Sequence, residues 1–333
     1  MSTMFTESDG LLILPHLRIQ NANAISSPMT HGFPSMTAFL GLMWALERKL
    51  AAQQMFSPAF RSFDSVGVIC HGFDEQTTEG GYVKAFRLTR NPVDKDGSTA
   101  AIVEEGRIHL DITLVFGVSG GFIEHDEAMR EEVARNVLDV LSTLRVAGGS
   151  VLPPAPSFGR AIKPELIRWA DDVDDARKQF RRLRRQWLPG FALVCRDDLL
   201  YARLDALQAE TPESTALDAW LDLSRFNWRP VPSSKKEDGK IEWQHDRTEG
   251  WLVPIPVGYA ALSDSQPAGS VLNVRDAQIP FRFVESLYSI GQWLGAHRLS
   301  NAQQLLWYAQ TVPEKGLYRI RNNFAPPAPI QPD

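Results

Sequence analysis

Four places in this sequence bring reactive or ligand-binding side chains together, and each points to a different chemistry. The first runs from Asn21 to Phe33, NANAISSPMTHGF, where His31 stands among amide and hydroxyl side chains. An imidazole positioned there can take a 2′-hydroxyl proton in metal-free RNA cleavage. It can equally hydrogen-bond or stack on a ligand with no chemical step, because no second acid or base has a defined spacing to it. The second is Cys70-His71. Neighbours along a strand point to opposite faces, so a core thiol and a surface imidazole are expected rather than a reactive pair. The third, Asp171 to Trp187, reads DDVDDARKQFRRLRRQW, with acids first and then Arg177, Lys178, Arg181, Arg182, Arg184 and Arg185. That order suits a helix dipole with no ligand, while cations interleaved with Phe180 and Trp187 also suit phosphates or an acidic partner. The fourth is Gly148-Gly149 behind Arg145, either a helix C-cap or a spot where backbone approaches a ligand closely.

Equally informative is what is missing. No Walker loop, GxGxxG, HExxH, GxSxG or Cys/His cluster occurs, which removes the commonest nucleotide, metal and hydrolase chemistries. Cys70 and Cys195 have no metal-ligand spacing, so reduced buried thiols in a cytoplasm are expected. There is no apolar run of about 18 residues and no basic-then-apolar leader, arguing against a membrane span and against secretion. A net charge of −5 is the wrong sign for a chain that coats nucleic acid all over, although it says nothing of local basic patches. The 333 residues, 44% of them hydrophobic, suffice for one large core or two moderate ones, and two lobes are expected.

The elements that must position these residues follow from hydrophobic period. Leu11 to Gln20 reads as a strand with Ile13, Leu17 and Ile19 on one parity and His16, Arg18 and Gln20 on the other, Pro15 marking an edge or a bulge. Ser35 caps a helix with Met36, Phe39, Leu40, Met43, Leu46 and Leu50 inward; its first turn lacks acids and leaves its amides open to a phosphate. A short buried strand is expected over Val66 to Phe73. Residues 74–106, signalled by Gly80-Gly81 and Asp96-Gly97, read either as a hairpin arm projecting from the sheet or as a long surface hairpin with solvated charges. His109 to Val118 is a strand, and Glu124 to Val146 an amphipathic helix with Met129, Val133, Val137, Leu141 and Leu144 inward. That order is the split βαβ of a ferredoxin-like fold, its fourth strand either Ser150 to Pro153 or Phe191 to Arg196. Helices are expected over Leu199 to Leu207, Leu217 to Phe226, Phe281 to His297 and Ala302 to Tyr308. SSKKEDGK, residues 233–240, reads as an exposed loop. The two prolines of WLVPIPVGY, Trp251 to Tyr259, exclude a central strand. Five of the nine Trp lie from Trp228 onward. The domain reading is therefore α+β: 1–153 a ferredoxin-like (RRM-like) lobe with its arm, 154–325 a mainly helical, aromatic-rich second lobe that returns a strand to the first sheet or stands apart, and 326–333 a Pro-rich tail.

The runs IQNANAISSPMTHGFPS, LTRNPVDKDGSTAAIVEEGR, LRVAGGSVLP, LPGFALV, GWLVPIPVGY and RFVESL closely resemble the Csy-two family of type I-F CRISPR systems, in the RAMP superfamily. The resemblance extends from Leu11 to about Arg319. It implies a non-catalytic subunit of the RNA-guided surveillance complex, without cofactor or metal, that grips the 5′ handle of the CRISPR RNA. The implied partners are the large Csy-one subunit, the adjacent backbone Csy-three subunit and, indirectly, target DNA, with no membrane. It assigns the handle to Arg18, Asn21, Asn23, Ser26, Ser27, His31 and Phe33 with the turn at Gly148 and Gly149, and the neighbouring kinked RNA to Arg90, Asn91, Ser98 and Thr99. The rival function is that of a RAMP-class metal-independent endoribonuclease using His31 on the CRISPR precursor.

Overall fold

The computed structural model describes residues 8–52, 60–90, 93, 96–99, 102–153, 163–232, 241–245, 250–274 and 276–325. Asn91, the 233–240 loop and the 326–333 tail lie outside the described residues.

Strand β1 (Gly10–Asn23) leads through a polar loop to helix α1 (Met36–Ala52), then β2 (Phe60–Glu75), β3 (Arg107–Gly120), α2 (Glu127–Ser142) and the short β4 (Gly149–Leu152). These four strands stand side by side in the order β4-β1-β3-β2, every neighbouring pair antiparallel. Helix α1 forms where it is expected, its stripe from Met36 to Leu50 buried and Ser35 Oγ accepting from the Thr37 amide at 3.2 Å. Asp126 caps α2 by accepting from Met129 N. That helix is shorter than its apolar period suggests: Met129 is exposed, and Arg145-Val146 already belong to a hairpin with β4.

The phase of β1 needs correction. From Leu11 to Leu14 every side chain is buried, Leu12 and Leu14 with α1 and α2, Leu11 and Ile13 with the apolar face of helix α3 (Val173–Gln186) on the opposite side. A bulge between Leu14 and Leu17, with His16 at φ 50°, then shifts the alternation by one. Leu17 and Ile19 thereby join the face of Leu12 rather than that of Ile13. Pro15 marks this bulge and, among the described residues, sits where β1 has no second neighbour, between its pairing with β5 (Glu165–Arg168) and with β4.

The second half is strand-rich, and the expectation of a mainly helical lobe is wrong. Helices α4 (Asp197–Glu210) and α5 (Ala216–Ser224) are present, but Phe281 to His297 is spanned by strand β8 (Val284–Gly295), and Trp307 opens strand β9 (Trp307–Val312) after a single 3-10 turn. The run from Ser289 to Leu294 is buried on both faces, so it shows neither period, and length alone misleads toward helix. Among the described residues eleven strands form one sheet, in which β6 (Phe191–Cys195) continues from β2 through β8, β7 (Leu252–Ala261), β10 (Leu317–Asn322) and β9. Both Pro254 and Pro256 lie in β7 where only β8 pairs with it; its second neighbour, β10, begins at Gly258. The prolines thus occupy the stretch that needs no second row of donors.

This five-strand run leaves β2 at Ile69-Cys70 and returns to it at Val66, which pairs with Trp307. The seam is closed by side chains. Trp307, fully buried, donates its Nε1 to the Leu193 carbonyl at 2.9 Å, and Asn322 accepts from Cys195 N at 3.3 Å while donating to the carbonyls of Gln304 and Leu306. Four backbone groups at the junction, Leu193 O, Cys195 N, Gln304 O and Leu306 O, are paired in this way.

Candidate nucleic-acid interface

At one end of the sheet the loop after β1 folds into a small hairpin, Ile25–Ser27 against Thr30–His31, and most of its polar side chains are consumed in building it. Asn23 forms a closed turn on Ile25, donating to its carbonyl at 2.7 Å and accepting its amide at 3.1 Å. The buried Thr30 hydroxyl bonds those of Ser26 at 2.9 Å and Ser27 at 2.6 Å. His31 donates Nε2 to Glu75 at 3.0 Å and lies against Phe86, 4.8 Å between ring centres, fastening the hairpin to the base of the arm. Phe33 stacks on Phe39 and takes the edge of Trp293, so it anchors the loop to the core. Asn21, at φ 58°, turns its side chain to solvent while its amide donates to His109.

Gly148-Gly149 is not a helix C-cap, since α2 ends at Ser142. Ala147 and Gly148, at φ 48° and 80°, are the two turn residues of the hairpin from Arg145 to Leu152. A Cβ on Gly149 would stand 2.7 Å from Ala22 N, so the close approach this glycine permits is that of β4 to β1. The turn is held beside the loop by the Asn23 amide, which donates to the Ala147 carbonyl at 2.9 Å. Two segments far apart in sequence, 21–23 and 147–149, thus meet.

Behind the hairpin opens a groove of about 500 Å³ between the loop, the end of β2, β6 and β7. Its aromatic walls are Phe73, Phe191 and Trp251, which are 56%, 45% and 49% exposed, with Phe191 and Trp251 packed edge-on at 5.9 Å. Ser26, His31 and His71 lie along its polar side, and Ser35 and Met36 bring the start of α1 to it. The groove offers flat apolar faces beside hydrogen-bonding groups, with no described cluster of three His, Cys, Asp or Glu suited to a metal.

The remaining assigned residues are dispersed. Arg18 is exposed on the face of β1 away from α1, in register with Asp111. The arm consists of two successive hairpins, Thr77–Gly80 with Val83–Phe86 and Leu88–Arg90 with Ile102–Glu104. Arg90 pairs with Ile102, the outermost pair of the second, and Ser98 and Thr99 are exposed toward its tip, where Asp96 accepts from Ser98 N and its carboxyl is held below the usual range by that side chain and amide.

Sequence reasoning missed the groove aromatics and a second cluster beside Arg18. His71 donates Nδ1 to the Pro189 carbonyl at 2.8 Å, Thr113 Oγ1 lies 2.8 Å from its Nε2, and its ring stacks on His16 at 4.0 Å; His16 in turn meets Asp111 at 3.1 Å. Burial lowers the His71 pKa, the neighbouring His16 adding to the effect, so a neutral imidazole is favoured. Cys70 points the other way into the core, where burial raises its thiol to about 11. Cys195 is likewise a free, buried thiol. The polar parity of His16 is visible in the sequence; only strand pairing brings Asp111, Thr113 and His71 to it.

Two comparisons bear on this arrangement. The family model for the CRISPR-associated protein Cas_Csy2 matches residues 12–320. Over 319 residues the chain is 46% identical to the CRISPR-associated protein Csy2 of Pseudomonas aeruginosa (strain UCBPP-PA14), covering 94% of this chain and 95% of that protein.

Proposed function

The chain belongs to the Csy2 family of CRISPR-associated proteins, of the type I-F system, and from that premise we propose that it is a non-catalytic subunit of the surveillance complex that holds the 5′ handle of the CRISPR RNA. The observation that carries this reading is the aromatic groove walled by the polar hairpin. Unstacked RNA bases are held by aromatic faces, with edges and 2′-hydroxyls met by neutral donors and acceptors. Phe191 and Trp251 supply faces; the loop, the turn at Gly148 and the side chain of Asn21 supply edges. The strand order β4-β1-β3-β2 with α1 and α2 on one face supports reading the first half as a ferredoxin-like RAMP lobe. In this reading Ser26, Ser27, Asn23 and Phe33 shape the site, while Arg18 reaches phosphate and the arm, with Arg90, Ser98 and Thr99, follows the RNA beyond the handle.

The partners proposed are the large Csy-one subunit and the first backbone Csy-three subunit, in the cytoplasm. Exposed Phe226, Trp228, Ile241 and Trp243 give the second half an apolar surface of the kind that such a partner covers. No described helix is long and apolar enough to cross a membrane. Co-expression with the neighbouring subunits and CRISPR RNA tests the assignment: the handle-bearing RNA and the large subunit are expected to co-purify with this chain. Recovery of the chain alone contradicts it.

The His31–Glu75 contact favours one rival, since a carboxylate that orients an imidazole is a feature of general bases. Incubation of the purified protein with precursor RNA in EDTA separates the two. The binding reading expects intact RNA; cleavage abolished by His31→Ala would establish the nuclease.

A further inference from the structure

Helix α3 carries six cations within nine positions, Arg177 to Arg185, and uses only some of them at home. Arg177 pairs with Asp174 at 3.2 Å and Lys178 with Asp175 at 2.7 Å, the acids of the first turn. Arg184 bonds the Leu299 carbonyl and ties the helix to the short turn Ala296–Arg298. Arg181, Arg182 and Arg185 remain exposed, and Arg298 is exposed on the packed turn beside them. Among the described residues none of these four guanidiniums has a carboxylate partner. Lys178, Arg181, Arg182 and Arg185 fall at i, i+3, i+4 and i+7, so they form one stripe roughly 10 Å long on a single helix face.

The aromatics decide what this stripe can hold. Phe180 and Trp187, which interleave with the cations in sequence, are both only 3% exposed, turned with Leu183 against Leu11, Ile13 and Val115 of the sheet. Single-stranded nucleic acid is gripped by cations and stacking faces together, and protein interfaces centre on apolar or aromatic anchors. The outer stripe of α3 has neither; it presents charge alone, on a rigid element. Guanidinium forks without stacking partners match the phosphates of a double helix, whose bases are already stacked on one another. Beyond the helix, Pro189 accepts from His71, which stacks on His16, two residues from Arg18, so a polar path runs from the stripe across the open sheet face.

We propose that the outer face of α3, through Arg181, Arg182 and Arg185 with Arg298 beside them, is a sequence-independent contact for the phosphate backbone of double-stranded DNA. None of these four arginines lines the handle groove, and the proposal rests on the reading of this chain as a subunit of an RNA-guided complex. It makes the subunit a direct contributor to duplex capture.

The test uses the assembled complex carrying the wild-type chain or the triple variant Arg181→Gln, Arg182→Gln, Arg185→Gln. Affinity for a double-stranded DNA with no match to the guide is measured from about 50 to 200 mM salt, since each phosphate contact contributes about −0.9 to the slope of log affinity against log salt. The slope is expected to become shallower by roughly 2 to 3, and the triple Arg→Lys variant is expected to keep most of it. Binding of a complementary single strand, which needs only the guide, is expected to stay unchanged. An unchanged duplex slope in an intact complex overturns the proposal. An equal loss on the complementary single strand also overturns it, by assigning the stripe to the guide–target hybrid, as does a variant complex that lacks a subunit, by assigning it to an acidic protein surface. Failure of the underlying functional reading is separate: it shows as a complex without CRISPR RNA before any DNA is added.

Discussion

The groove behind the loop and the outer face of α3 draw on the same residue types and partition them in opposite ways. At the groove, Ser26, Ser27, Thr30 and Asn23 spend their polar groups on one another and on backbone, while Phe73, Phe191 and Trp251 stay open. On α3, Phe180 and Trp187 are buried and Arg181, Arg182 and Arg185 stay open. Polar composition alone therefore does not say what a surface binds. What reaches solvent does: aromatic planes with a polar border suit unstacked bases, and bare guanidiniums suit a phosphate backbone.

Both regions hang on one seam, the return of β9 to β2 around Trp307, and the strongest test of the contrast is to break that seam. Trp307→Ala removes a fully buried indole and leaves the Leu193 carbonyl without its donor, so a loss of about 3–5 kcal/mol is expected in chemical denaturation. Groove and helix face should fail together in that variant, whereas surface variants at either region should fail separately. The double variant Phe191→Ala, Trp251→Ala is expected to weaken handle-RNA binding by about 1–3 kcal/mol per stacked base, with the salt dependence of duplex binding unchanged. Thr30→Val is expected to act indirectly. It removes the Thr30 partner of the Ser26 and Ser27 hydroxyls, leaving Ser27 with the Met29 amide, costs about 1–2 kcal/mol of stability, and loosens the hairpin, so handle affinity should fall less than in the groove variant.

The smallest effect is one of pH. Burial holds the folded-state pKa of His71 below its ordinary value. Between the two values the unfolded chain binds more protons than the folded one, so stability is expected to fall as pH drops below about 6.5. His71→Gln should flatten that part of the stability–pH curve, read from thermal melts, without altering duplex binding.

Helix α1 and strand β3 were legible in sequence because each shows its period, 3.6 in α1 and 2 in β3. The arm was signalled by Gly80-Gly81 and Asp96-Gly97, and β4 was one of two segments left open for the fourth strand. Beyond that the signal fades for physical reasons. The bulge at His16 shifts β1 by one residue, so a single parity cannot describe it. Strand β8 is buried on both faces and carries no alternation. The groove draws its walls from residues 73, 191 and 251, brought together only by sheet order. For α3 the sequence left the interleaved Phe180 and Trp187 open to a role beside the cations, and only packing against the sheet shows both aromatics on the buried side. Gly148-Gly149 carried a true signal of close backbone approach, but the partner is β1.

A base stacked in the groove is the central claim, and a fluorescent adenine analogue placed singly at each adenine of the handle reports on it directly in the assembled complex. At one or more positions the emission is expected to be quenched, and to be restored in the Phe191→Ala, Trp251→Ala variant but not in the α3 triple variant. Emission that is the same in all three complexes at every position would contradict the assignment of the handle to this groove.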